Sequence, residues 1–428
     1  MRRQVVTATA VWLVAAFWTV GVASAGEAAS TIRVPQGAAS LQAALDAAHP
    51  GDTILLGRGM YAGGVTVPFE LHDLTIRGVD RNDVVLDGHD AVPNGIEVHA
   101  DGVTIENMTA HDFVGNAFYW DGVDRFAGRY LTVYNVGSYG IYGTGGRDGV
   151  FEHDFVSGAA DAAFYIGECR PCDATLRYDV ARLSAVGYSG TNAGGNVVVE
   201  DSTWDRNGTG ILPNSYDVGL APPPQDGATF RRNVVRDSGT VAVPVTTPLA
   251  GFRGIGIGIA GGHHDLVEDN EVTGSAAYGI AVYSTVKPDQ FWPPSSNTIS
   301  GNTVRGSGTA DLALAAGGGS GNCFQGNDVD TALPPSLDVA TCVPVAGSAR
   351  VRRDLLLSPD AARARIPDLG NGPWYNDMPR PGPQSTMPLA ADSRGDHGPW
   401  SAGALVAAVA ILGLGALTLL ALRWRGAR

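Results

Sequence analysis

The sequence predicts an all-β parallel solenoid, and three observations lead there. A strand motif of the form Gly-Ile-x-Val recurs through the chain, a polar turn residue recurs in step with it, and the composition is glycine-rich and poor in charge. Of 428 residues, 44% are hydrophobic, so a large core can form. Charged residues make up 17%, below the ~25% of an average soluble domain, and there are 58 glycines. The formal net charge is -14 and Lys287 is the only lysine. Phosphate backbones and anionic lipid would not be attracted, so no nucleic-acid partner is expected.

Residues 1–25 read as a signal peptide: Arg2 and Arg3 precede the apolar run Val5 to Val22, and Ala23-Ser24-Ala25 supplies the small residues of a cleavage site. The expected solenoid occupies 31–346. Near its start, Ser40 is a helix N-cap with Leu41, Ala44, Leu45 and Ala48 on one face, a short amphipathic helix suited to cap the open end of a core. Strands then repeat. Ile96, Phe118, Ile141 and Phe164 stand 22, 23 and 23 residues apart, too short a period for a propeller blade. Polar residues follow the second strand of each unit at Asp154, Asp179, Ser202, Asn233, Asn270, Asn302 and Asn327. Stacked coils place such residues in a ladder that bridges the turns.

Several segments carry a family resemblance: Ser40-Leu41-Gln42-Ala43-Ala44-Leu45-Asp46-Ala47-Ala48, Pro50-Gly51-Asp52-Thr53-Ile54-Leu55-Leu56, Gly59-Met60-Tyr61 and Val84-Val85-Leu86-Asp87-Gly88. Over roughly Thr31 to Val345 the chain resembles the right-handed parallel β-helix proteins of the pectin-lyase-like group, whose polysaccharide lyases and epimerases open similarly. The resemblance implies a single-stranded right-handed parallel β-helix and a polysaccharide or other glycan as partner. It does not assign a site.

The strand period does suggest one. If Ile and Val point inward, Glu97, Tyr119, Tyr142 and Tyr165 form one outward column, with His99, Asp121 and Thr144 beside it. Tyr119, Tyr142 and Tyr165 are the candidate substrate-binding residues, offering flat faces to sugar rings. The alternative is an aromatic ladder that only stabilises the sheet. Glu97, His99 and Asp121 are the candidate catalytic residues: two carboxyls suit glycoside hydrolysis, and a histidine with a tyrosine suits proton transfer in a lyase or C5-epimerase. The epimerase motif Asp-Pro-His-Asp is missing; Glu152-His153-Asp154 and His263-His264-Asp265 are the nearest strings, and their histidines read as turn residues. No metal and no cofactor are expected.

Cys169, Cys172, Cys323 and Cys342 are an even set in an exported chain, which favours disulfides within the two local pairs, although three connectivities are possible. Insertions Pro213 to Asp226, Thr240 to Arg253 and Val286 to Ser296 lengthen later coils, and Tyr216, Phe252, Phe291 and Trp292 in them are placed to close over a ligand or shield the sheet. Residues 347–401, rich in Pro and Gly, read as a stalk. Residues 402–422 are 21 uncharged, apolar residues expected to cross a membrane, and the basic tail 423–428 is expected in the cytoplasm. The β-helix would then be extracellular on a single-pass anchor. Two functions follow: glycan binding at the cell surface, or a lyase, glycoside hydrolase or epimerase using the same face.

Overall fold

The computed structural model describes residues 29–217, 219–246, 253–287, 290–337, 341–356 and 374–387. The expected signal peptide and membrane segment lie outside them, and among the described residues no helix is long and apolar enough to cross a membrane. The described strands wind into a solenoid of three parallel sheets with 12, 11 and 11 strands, here called A, B and C. Each coil gives one strand to each sheet in turn, as in Thr104–Glu106, Thr109–Phe113 and Phe118–Asp121. The repeat register is the one the sequence predicts. Ile96, Phe118, Ile141 and Phe164 pair rung by rung in sheet C and are fully buried. Alternation along each strand drives this arrangement, because one side chain in two must face the core.

The turn between sheets A and B carries the polar ladder. Each side chain accepts a hydrogen bond from the backbone N–H one coil earlier: Leu131 to Asp154 (2.7 Å), Asp154 to Asp179 (2.9 Å), Asp179 to Ser202 (3.0 Å), then on through Asn233, Asn270, Asn302 and Asn327. Where acids replace asparagine, burial raises the carboxyl, Asp154 to about 7 and Asp179 above its ordinary range. A second ladder joins sheets C and A, with Asp265 N donating to Asn297 (2.8 Å) and Asn297 N to Asn322 (3.2 Å).

The outward face of sheet A holds a feature that the strand motif did not reveal. Arg77, Glu106, Arg129, Glu152, Arg177, Glu200, Arg231 and Glu268 occupy successive rungs of one column, alternating in sign. Contacts include Arg77 to Glu106 at 3.2 Å, Glu152 to Arg129 at 2.7 Å and to Arg177 at 2.6 Å, and Arg231 to Glu200 at 2.7 Å. A column of one sign would set like charges about 4.8 Å apart.

Helix α1 (Leu41–Ala47) forms where expected, capped by Ser40 Oγ accepting from Ala43 N at 3.1 Å, and it buries Leu41, Ala44 and Leu45. Both disulfides join the local pairs, Cys169 to Cys172 and Cys323 to Cys342. Part of the segment read as stalk packs on the body. Helix α2 (Ala349–Leu355) buries Val351 and Leu355 with Leu212, Ala281 and Ala313, covering the later coils of sheet C. Residues 374–385 form a strap against the outward face of sheet B. Asn82 Nδ2 donates to the Gln384 carbonyl (2.9 Å), Gln384 N donates to Asn82 Oδ1 (2.8 Å), Arg81 donates to the Ser385 carbonyl (3.0 Å), and Met378 is buried beside Gly158.

Candidate functional site

Strands Ile96–Val98, Phe118–Asp121, Ile141–Thr144 and Ala162–Gly167 of sheet C carry the predicted columns. Glu97, Tyr119, Tyr142 and Tyr165 are directly paired across four rungs, and Asp121 pairs with Thr144 in the adjoining column. His99, Glu97 and Asp121 come together: His99 Nε2 lies 3.0 Å from Glu97 Oε1 and Nδ1 lies 3.8 Å from Asp121 Oδ2. Asn94 Nδ2 donates to the other Glu97 oxygen at 3.0 Å, fixing that carboxylate from its far side. All three candidate catalytic side chains are half-buried, accessible to a ligand yet held in place.

The tyrosines are not equivalent. Tyr119 and Tyr142 stack at 4.7 Å, and Tyr142 meets Tyr165 edge-on at 4.8 Å. Tyr165 is 4% exposed, so it supports the stack from beneath instead of offering a face to solvent. Thr144 is buried too. Tyr139, which precedes its strand and so escaped the motif, stacks on Tyr142 at 4.4 Å. Burial and then the neighbouring Asp121 push the Tyr119 hydroxyl well above the ordinary tyrosine range. It therefore stays protonated across the physiological range, able to donate but not to act as a base. Tyr139 is raised likewise, by burial and then Asp161.

The other sequence candidates fall elsewhere. His153 has φ 60° and is stacked between Tyr130 (4.7 Å) and Tyr178 (5.0 Å), a turn ladder. His263 Nε2 meets the Pro293 carbonyl at 2.9 Å and His264 Nδ1 meets Asp226 at 2.8 Å. In the insertions, Tyr216 and Trp292 lie 6.3 Å apart, and Lys287 sits over Tyr216 while donating to the Asp217 carbonyl at 2.7 Å. Phe291 is exposed, and Phe252 lies outside the described residues. On sheet B, Asp87, His111 and Asp112 present ligand atoms within 4.8 Å of one another, a set able to hold a metal ion. Sequence reading missed it because Asp87 and His111 become neighbours only through the sheet register.

A family model described as "Right handed beta helix region" matches residues 94–287. Among solved structures, a rhamnogalacturonan lyase is similar at 12% identity and TM-score 0.51, covering 69% of this chain and 87% of its own. The A-module of a mannuronan C-5 epimerase from Azotobacter vinelandii is similar at 16% identity and TM-score 0.48, covering 67% of this chain and 90% of its own. A lacto-N-biosidase from Eubacterium ramulus is similar at 12% identity and TM-score 0.49, covering 70% of this chain and 63% of its own. No curated protein matches the sequence. At 12% identity the likeness to the rhamnogalacturonan lyase speaks for fold alone, and it agrees with the parallel sheets. The described chain folds as a parallel β-helix, and residues 94–287 of it match the right-handed β-helix family model.

Proposed function

We propose that the outward face of sheet C binds a neutral carbohydrate polymer and acts on it by acid–base chemistry, at the cell surface. One observation carries the reading: His99 is held between Glu97 and Asp121 beside the open end of the tyrosine stack. A single imidazole spans the two carboxylates, which limits their separation to about 9 Å, inside the ~5–9.5 Å window of two-carboxylate glycoside hydrolysis. Among the described residues neither Glu97 nor Asp121 pairs with an arginine or lysine, so the face favours neutral sugars over uronates, whose charge it would repel. The ring face of Tyr119 turned away from Tyr142 looks toward the rung of Glu97, where a sugar can stack. Helix α2 covers the later coils, which confines such a ligand to the earlier ones. Tyr119, kept protonated, is a hydrogen-bond donor to the sugar, and the carboxylates with His99 exchange the protons of the reaction.

The test is to offer the purified full-length chain a panel of neutral and uronic polysaccharides, following retention and new reducing or unsaturated ends. A neutral glycan should be retained and cleaved. His99→Ala should keep retention and lose about 10²–10⁴-fold in turnover, whereas Tyr142→Ala should weaken retention. Retention with no new ends would favour a surface-binding protein, the second reading; absence of retention on every glycan would sink both. The membrane placement is tested separately. The chain should remain with membranes after alkaline carbonate extraction, and truncation before Ala402 should release it; a full-length chain that washes off has no anchor there.

A further inference from the structure

The strap and the wall of sheet B border a solvent-open cavity of about 310 Å³, room for roughly ten waters, lined by Asn82, Asp83, Thr109, Thr132, Tyr134 and Arg380 and bounded by Pro381 and Pro383. Most of its polar groups are committed. The Thr109 hydroxyl donates to the Arg81 carbonyl (2.7 Å), Thr132 accepts from Arg81 Nε (2.7 Å), and the Asn82 amide holds the strap. Tyr134 is the exception: the residue is 5% exposed and stacked on His111, and its hydroxyl, which pairs with no described residue, lines the cavity. A hydroxyl on the cavity wall with no protein partner is free to donate to, or accept from, a group that fills the cavity. Arg380, whose charge acts on this hydroxyl against those of Asp112 and Asp87, pairs with no carboxylate among the described residues. Asp83 spends one interaction on Arg58 (3.0 Å) and keeps lone pairs for other donors.

A phenol, a guanidinium and a carboxylate with spare capacity, set beside two proline rings, match the mixed donors, acceptors and C–H faces of a pyranose. A charged ligand would meet Arg380 and Asp83 together and gain little. We propose that this cavity binds one neutral hexopyranose unit, a second carbohydrate subsite on a different wall from the tyrosine column, bordered by the chain's own C-terminal strap. Since the strap supplies Arg380 and the two prolines, the sugar must bind the docked strap better than the released one, and occupancy holds the strap down.

The strap's own opening provides the readout. Amide exchange of residues 380–385 is to be followed in the full-length chain with methyl glucoside, galactoside, mannoside and N-acetylglucosamine. At ten times its Kd, the fitting sugar should slow exchange there about tenfold by mass action. The slowing should persist in Tyr142→Ala, which separates this subsite from the sheet C reading, and vanish in Tyr134→Phe and Arg380→Gln. The phenylalanine keeps the ring on His111, and Arg380 is exposed, so both variants should fold. The proposal falls if none of the glycosides slows exchange, if slowing survives both substitutions, or if glucuronate alone produces it, which would make the cavity an anion site.

Discussion

Replacing Asn233 with leucine is expected to lower stability by about 3–5 kcal/mol, the summed cost of orphaning several buried groups. The Asn233 carboxamide oxygen accepts from Ser202 N (3.3 Å) and from the indole of Trp204 (3.2 Å), while its nitrogen donates to the Val199 carbonyl (2.8 Å). All of these lie inside the solenoid, where no water replaces the lost partner. The loss should also be local at first, because coils in a solenoid depend on their neighbours. Urea unfolding and amide exchange report both, and a midpoint equal to wild type would show that the ladder is not a stabilising device.

Asp265→Asn is expected to stabilise the protein by about 2–4 kcal/mol above pH 7 and to change little below pH 4. Burial raises this carboxyl to about 7, although Gln225 and Ala228 N both donate to its Oδ1. Below pH 4 both folded and unfolded chains hold the proton, so no penalty exists. Between pH 4 and 7 the folded chain keeps a proton that the unfolded chain has released, so stability falls as pH rises; above 7 the full cost of a buried carboxylate is present. The Oδ2 atom of Asp265 and the Oε1 atom of Gln225 both lack partners, and a Cβ added at Gly262 would collide with each, so the two oxygens share one small space. An amide nitrogen in place of Oδ2 supplies a permanent donor there and matches the asparagines at 297 and 322. Melting midpoints of wild type and variant at pH 4 and pH 8 decide it. An equal difference at both would mean that Asp265 does not titrate on unfolding.

The fold was legible because inward residues and turn amides repeat nearly unchanged: Asn233, Asn270 and Asn302 announce one another, and Ile96 announces Phe118. The candidate columns followed from the same alternation. What stayed hidden depends on register or on distance along the chain. The Arg and Glu column has two residue types on alternate rungs, and insertions vary the spacing between them, so no single motif marks it. Tyr165 looked like its neighbours in sequence, and its burial comes from the packing around it. The strap has no period, and its partners Arg81 and Asn82 stand some 300 residues away.

The alternating column on sheet A also gives the solenoid a parity. Deleting the coil that carries Arg129 would set Glu106 over Glu152, and duplicating it would set arginine over arginine. Removing two consecutive coils restores the alternation. A chain of this kind therefore lengthens or shortens by pairs of coils more readily than by single ones. Internal deletions or insertions of an even number of coils should fold where those of an odd number meet repulsion at the seam.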